Sequence, residues 1–286
     1  MTSKHLERTE HKLIGNQKGE YMIKYKLLAL DIDGTLLNDK RELTDRTVEA
    51  IKRAIDSGVH VTLCTGRPIQ GVKWLVERLG IVAPVITYNG AEIVNPTDNG
   101  ILFSQQLLAE DAIKIAEMGK ARNATLIVWS KGELFGYPMN ERVEFYEQIA
   151  CIKAREMTDV QELAERGVTK IIWFDDIDQI NQFQNQLNSS DFKSVTYCTS
   201  NPRFLEFFNS KVSKRISMEK LAYILGVKIE ETVAIGDGYN DIPMLEGAGL
   251  SIAMGNAPDD IKGICDKVTL DNNSDGVAYA IEKYII

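Results

Sequence analysis

Short apolar runs alternate with helix-period segments along most of this chain. The runs Lys26 to Leu30, Val59 to Cys64, Val85 to Tyr88, Thr232 to Ile235 and Leu250 to Met254 read as buried strands. Between the first two, Thr44 can cap a helix whose apolar positions Val48, Ile51, Ala54 and Ile55 share one face and which ends before Gly58. A second helix, Ile69 to Leu79, closes at Gly80 and leads through Pro84 into the next strand. Strands alternating with helices through short loops predict an α/β fold, a doubly wound parallel sheet of the Rossmann-like kind.

The rhythm changes at Asn89-Gly90-Ala91, and Asn95-Pro96-Thr97-Asp98-Asn99-Gly100 reads as a hairpin turn. From there to about Pro202 the pattern predicts helix 108–121, strands 124–129 and 133–137, helices 141–149 and 159–166, strand 168–174, helix 177–188 and strand 192–198. Such a mixed block reads as an α+β cap domain inserted into the first. After it come an apolar strand, Phe204 to Phe208, a helix near Ser213 to Leu225, helices from Tyr239 and from Ala257, and a last helix, Asp275 to Tyr284. The expected division is a polar N-terminal tail over 1–22, a catalytic core over 23–90 and 203–286, and a cap over 91–202. The strand pattern needs nothing before Tyr25, so Met22 is favoured over Met1 as the natural start.

Composition narrows the chemistry. At 286 residues with 44% apolar content, the chain can bury a core in each of two domains. Its 41 acidic against 33 basic residues give a formal charge of -8, which argues against a nucleic-acid partner. No apolar run is long enough for a membrane span, and the first 20 residues are too polar for a secretory signal. The four cysteines form no CxxC pair, which fits a reduced, cytoplasmic setting. Only His5, His11 and His60 exist, two of them in the tail, so histidine-based hydrolysis or a His-rich zinc site has almost no material. Hydrolytic chemistry would have to run on carboxylates and a hard metal.

The candidates stand at strand ends, where a parallel α/β sheet binds its ligands. The first run ends in Asp31-Ile32-Asp33-Gly34-Thr35, the second in Thr65-Gly66-Arg67, and the fourth in Gly236-Asp237-Gly238-Tyr239-Asn240-Asp241. Each is ordinary alone: Asp-Gly is common in turns, Thr-Gly in caps, and Asn with Asp at helix starts. Together they gather carboxylates, a hydroxyl and glycine-freed amides, which suits a divalent cation and a phosphoryl group. Lys214, opening a helix, supplies a candidate counter-charge.

These motifs, in this order, resemble those of the haloacid dehalogenase-like superfamily. The inserted block, Thr87-Tyr88-Asn89-Gly90-Ala91 and Asn272-Asn273-Ser274-Asp275-Gly276-Val277 resemble its Cof-type subgroup, particularly the YidA-like sugar phosphatases. The resemblance implies a Mg2+-dependent phosphatase acting on small phosphorylated metabolites, with sugar phosphates foremost. Asp31 would attack phosphorus, and Asp33 would act as acid and base. Phosphoryl oxygens would be held at Ile32, Thr65, Gly66, Lys214 and Asn240. The metal would take Asp31, the Asp33 main-chain carbonyl and Asp237, with Asp241 orienting that shell. One departure is visible: Arg215 follows Lys214 where the family has glycine, and is expected to face solvent. A phosphomutase resembling phosphomannomutase and a non-catalytic sugar-phosphate sensor are the alternatives. Asn89, Tyr137, Lys170, Asn201 and Arg203 are polar candidates for leaving-group contacts, equally readable as surface or turn residues.

Overall fold

The computed structural model describes residues 13–15, 21–188 and 191–286. Five strands form a wholly parallel sheet in the order Lys267–Val268, Leu250–Ala253, Thr232–Gly236, Leu27–Leu30, His60–Leu63. Side chains alternate across it. Leu28 and Leu30 pack with Val48, Ile51, Leu75 and Ile281 from the helices Asp45–Asp56, Lys73–Leu79 and Gly276–Tyr284. Leu27 and Ala29 pack on the other side with Met218, Leu221, Leu245 and Ile261. Helices cover both faces, so the central strands are buried on both sides, as the doubly wound expectation requires.

The local signals act as read. The Thr44 hydroxyl accepts from the Thr47 amide and caps Asp45–Asp56. Gly80 closes Lys73–Leu79 with φ of 69°, in the left-handed region that glycine reaches without strain. Two expected helices start later than their pattern, because a 3-10 turn precedes each: Ile69–Gly71 before Lys73–Leu79, and Tyr239–Asp241 before Ile242–Gly247.

A second sheet, of six strands, lies between the two halves of the first in sequence. Its order is Ala154–Glu156, Glu133–Tyr137, Thr125–Ser130, Lys170–Phe174, Phe204–Asn209, Val195–Asn201. All neighbours are antiparallel except the first pair. One face packs Leu126, Val128, Ile171, Trp173 and Phe207 against helices; the other carries Trp129, Ile172, Phe174, Phe204 and Phe208. Strand Phe204–Asn209 therefore belongs here, and not with the core segment expected to begin at 203. Its pairing with Lys170–Phe174 on one side and Val195–Asn201 on the other fixes it inside the second sheet. A three-stranded antiparallel sheet, Val85–Thr87, Glu92–Val94 and Ile101–Ser104, stands beside the first sheet through the parallel bridge of Cys64 with Ile86.

Most of the polar tail expected over 1–22 lies outside the described residues. Within it, Leu13–Gly15 pairs antiparallel with Tyr21–Ile23, a ladder the tail expectation did not include. Among the described residues no helix is long and apolar enough to cross a membrane.

Strands Val85–Thr87 and Glu92–Val94 are joined at Tyr88-Asn89-Gly90, three successive residues with positive φ. This turn is tied down on both sides. Asn89 N–H donates to the Thr65 carbonyl at 2.8 Å, and Ser217 Oγ donates to the Gly90 carbonyl at 2.6 Å. A Cβ on Gly90 would lie 2.3 Å from the Ser213 carbonyl oxygen, which is backbone and cannot swing away. Gly90→Ala combines that collision with a φ of 103° that L-residues avoid. The expected loss is about 2 kcal/mol or more in urea unfolding, and an unchanged midpoint would show that the turn and the helix start can separate freely.

Candidate active site

Two strand ends converge on one lysine. Leu27–Leu30 delivers Asp31, whose amide donates to the Ile235 carbonyl at 3.0 Å and so continues the parallel ladder by one residue. Thr232–Gly236 delivers Asp237 and, through the 3-10 turn, Asp241. Helix Lys214–Leu225 starts on the Ser213 cap and places Lys214 in its first turn, fully buried. The lysine Nζ donates to Asp31 Oδ1 at 2.6 Å and to Asp241 Oδ1 at 2.5 Å.

The charge balance is incomplete. Asp31, Asp237 and Asp241 bring ligand oxygens within 4.8 Å of one another, against the single Lys214 cation. Burial pushes the Asp31 carboxyl up to about 8, with the Asp241 carboxylate adding to the shift and Lys214 opposing it. Asp237 is pushed up to about 6, again chiefly by burial and against the Thr35 hydrogen bond. For Lys214, burial works against the charge, but the Asp241 and Asp31 carboxylates outweigh it and hold the ammonium above the ordinary lysine range. Carboxylates crowded this way lack a cation.

The donors suit a hard divalent ion. All are oxygens, and Gly34 leaves room for them: a Cβ there would lie 2.3 Å from Asp237 Oδ2. The three acids are differently engaged. Asp241 spends Oδ1 on Lys214 and Oδ2 on the amides of Asp237 and Gly238, at 3.1 and 2.9 Å. It thereby shapes the loop that carries Asp237. Among the described residues Asp31 Oδ2 has no such bond, and Asp237 is held by neutral donors, Thr35 Oγ1 at 2.7 Å and Asn256 Nδ2 at 3.4 Å.

Asp33 is two residues from Asp31 but in other surroundings. Its side chain is 57% exposed, and Arg67 grips it with two donors, Nε to Oδ2 at 2.9 Å and Nη2 to Oδ1. Ile32 is buried, and its carbonyl takes the Leu37 amide at 3.0 Å, which curls the loop back over the strand end. Thr65 is buried, with its hydroxyl accepting the Arg67 amide at 3.1 Å. A Cβ on Gly66 would meet the Asn89 side-chain amide at 3.1 Å. Asn240 Nδ2 donates to Asn89 Oδ1 at 3.2 Å, and the buried Asn89 Nδ2 has no partner. The expected site residues thus stand at one end of the parallel sheet, with Asp33 held by Arg67.

Among the leaving-group candidates, Lys170 reaches the site, donating to the Gly66 carbonyl at 3.2 Å. Arg203 lies with its guanidinium 4.8 Å from the Phe174 ring centre, while Asn201 caps its own loop by accepting the Arg203 amide. Tyr137 is partly exposed beside Lys120. Arg215 pairs with Glu219 one turn on at 2.7 Å, half-exposed and separate from Lys214's carboxylates, as expected of a solvent-facing residue.

Asn256 and Thr35 are functional candidates that the motif reading passed over. Asn256 follows the strand Leu250–Ala253, so the strand-end rule itself points to it. The Asn272 amide donates to Asn256 Oδ1 at 3.0 Å, and Asn272 Nδ2 donates to the Leu37 carbonyl at 3.1 Å. That chain of bonds links the C-terminal tail motif to Asp237.

A parallel α/β core with acids gathered at its strand ends is the setting in which likeness to known proteins now puts the chain among hydrolases. The model of the haloacid dehalogenase-like hydrolase family matches residues 28–281, and the chain belongs to that family. It is similar to two proteins of Bacillus subtilis (strain 168). One is the 5-amino-6-(5-phospho-D-ribitylamino)uracil phosphatase YwtE, 32% identical over 91% of this chain and 98% of that one. The other is phosphatase YwpJ, 32% identical over 90% and 99%. A solved haloacid dehalogenase-like hydrolase from Bacteroides thetaiotaomicron superposes with a TM-score of 0.82 at 30% identity, covering 91% of this chain and 99% of its own.

Lys214→Met would strand two buried carboxylates beside a third. Removing one partner of a buried ion pair costs about 3–5 kcal/mol, and urea unfolding in the presence of a chelator should show a loss of that size. An unchanged midpoint would mean that Lys214 does not balance the cluster.

Proposed function

We propose that this chain, a phosphoric monoester hydrolase of its family, is a Mg2+-dependent phosphatase that cleaves small phosphorylated metabolites, sugar phosphates foremost, through an aspartyl-phosphate intermediate. The observation that carries the reading is the contrast between two aspartates two residues apart. Asp31 is buried, held by Lys214 and facing a carboxylate cluster; Asp33 is exposed and held by an arginine. That contrast supports Asp31 as the nucleophile and Asp33 as a proton shuttle at the mouth of the site.

Asp31, Asp237 and the Asp33 main-chain carbonyl would hold the metal, with Asp241 setting the loop. When bound, the metal supplies charge neutralisation at the phosphoryl group and keeps Asp31 ionised. Lys214, Thr65, Asn240 and the backbone at Ile32 and Gly66 would take phosphoryl oxygens. Asp31 Oδ2, which Lys214 leaves open, attacks phosphorus as the P–O bond to the alcohol breaks. Asp33 gives its proton to the departing alkoxide, then takes one from the water that opens the acyl phosphate. Lys214 keeps Asp31 Oδ1 fixed throughout.

The proposed division is a core and an inserted cap, with strands 92–94 and 101–104, expected in the cap, counted to the core on which they pack, and strand 204–209 counted to the cap. The six-stranded sheet would close over substrate and exclude water in the first step. The four unpaired cysteines suit a reducing, cytoplasmic setting.

Release of inorganic phosphate from an aryl phosphate and a panel of sugar phosphates tests the activity. It should vanish with chelator and return with Mg2+; turnover unaffected by exhaustive chelation would refute metal dependence. Product that remains a sugar phosphate, formed only with a sugar bisphosphate activator, would indicate the mutase instead.

Asp31→Asn should abolish the trapped phosphoenzyme, because an amide is a poor nucleophile toward phosphorus. Asp33→Asn should slow sugar phosphate turnover on the order of 10²-fold or more, while an aryl phosphate, whose leaving group needs little protonation, still phosphorylates Asp31. Rapid-quench trapping reads both steps. A labelled intermediate in Asp31→Asn, or full sugar phosphate turnover in Asp33→Asn, would reverse the assignment.

A further inference from the structure

The phosphate loop is gripped from the other sheet. Lys170 begins strand Lys170–Phe174 and is 2% exposed. Its Nζ donates to Glu206 Oε2 at 3.3 Å and to the Gly66 carbonyl at 3.2 Å, and the Tyr146 hydroxyl adds to the groups that favour its charge. The rings of Tyr88 and Phe208 stand 5.8 and 5.7 Å from it. An ammonium has three donors, and three acceptors surround this one. Two of them, Glu206 and Tyr146, belong to the same aromatic-lined side of the six-stranded sheet. They explain how a charge survives there, since an unpaired ammonium would be expelled or neutralised. They do not explain why an ammonium is there at all, because an apolar side chain would fill the same space at less cost. The bond to Gly66 crosses to the core.

That bond ends on a peptide plane with a second duty. The carbonyl of the Gly66–Arg67 unit faces Lys170, and its N–H, from Arg67, donates to Thr65 Oγ1 at 3.1 Å. The unit is rigid and planar, so fixing one end fixes the other. With one lone pair of Thr65 Oγ1 occupied by that N–H, the hydroxyl proton is directed away from the peptide. Thr65 is buried, and its amide is already held by the Ile86 carbonyl at 3.0 Å, so the side chain is the part left to orient.

We infer that Lys170 is a positioning residue: through the Gly66–Arg67 peptide it aims the Thr65 hydroxyl at a phosphoryl oxygen, so that this donor is set when the six-stranded sheet is seated on the core. The inference rests on the phosphatase reading, with Thr65 as a phosphoryl donor. It gives the second sheet a part in phosphoryl binding that does not depend on the leaving group.

A double-mutant cycle tests it. Lys170→Met, Thr65→Val and the pair together are assayed for kcat/KM with p-nitrophenyl phosphate and with glucose 6-phosphate. Lys170→Met should lose roughly tenfold or more with both substrates, as misorientation of one group allows. The double variant should be no worse than Thr65→Val within about twofold, because the lysine acts through the threonine. Lys170→Arg, which keeps a donor, should recover part of the loss. Lys170→Met/Glu206→Gln removes both charges and strands no carboxylate, so it reports the lost grip in a folded protein; it should keep its thermal midpoint and repeat the loss and the cycle. Additive losses, or a loss confined to the sugar phosphate, would make Lys170 an independent substrate contact and overturn the positioning role. Wild-type activity in the doubly neutral variant would overturn it as well. A wild-type protein that hydrolyses neither substrate would instead overturn the phosphatase reading, and this inference with it.

Discussion

Lys214 is the interaction on which the site depends. Its ammonium lies between Asp31 and Asp241, two acids that come from different strands and could not otherwise share a buried space. Coulomb repulsion between carboxylates at such separations is severe in a low dielectric. One lysine relieves it in part, while burial, and after it the Asp241 carboxylate, still push the Asp31 carboxyl up. The residual imbalance makes the cluster receptive to a divalent cation, which a fully neutralised cluster would not be. Stability and function are therefore set by the same pair of bonds. The lysine must be present for the acids to be buried, and it must be insufficient for a metal to be wanted.

The turn Tyr88-Asn89-Gly90 makes this site sensitive to the second sheet. Its backbone is bonded to the loop at Thr65 and to the lysine-bearing helix at Ser217, while the Tyr88 ring packs edge-on against Trp129 of the six-stranded sheet at 5.5 Å. Positive φ at a tyrosine costs backbone energy that the surrounding contacts must offset. The connection is thus held by packing on both sides and has little freedom to relax separately. Movement of the second sheet would pull on Tyr88 and on Lys170 together, and both lead to the same loop at Thr65 and Gly66.

The strand ends were legible because the parallel-sheet rule needs only local signals: an apolar run and the polar cluster that stops it. Asp31, Thr65, Asp237 and Asp241 fall where that rule puts them. Asp33's partner was not legible, since the Arg67 bond joins two loops whose relative position depends on the adjacent strands Leu27–Leu30 and His60–Leu63. The membership of Phe204–Asn209 was misassigned for the same reason. An apolar run announces a strand but not its neighbours, and Leu205 and Phe207 would be equally buried beside either sheet. The edge strand Ala154–Glu156 escaped because it is half-exposed and carries Arg155 and Glu156, leaving no apolar alternation to read. Asn256 could have been found by applying the strand-end rule once more, after Leu250–Ala253.

The two sheets divide the work by the kind of residue each can bury. The parallel sheet is apolar on both faces and can place charge only beyond its strand ends, so its acids gather at one edge and share one lysine. The six-stranded sheet has one face packed by helices and another lined with aromatic rings, into which the buried ion pair of Lys170 with Glu206 is set. That pair is compensated within its own sheet, so it does not need the core in order to stay charged. Its reach to Gly66 can then be made or broken at little electrostatic cost. The Lys214 cluster has the opposite character, since its members come from separate elements of one core and none can leave without exposing another. A fixed charged centre approached by a self-sufficient ion pair allows the second sheet to move without unbalancing the chemistry beneath it.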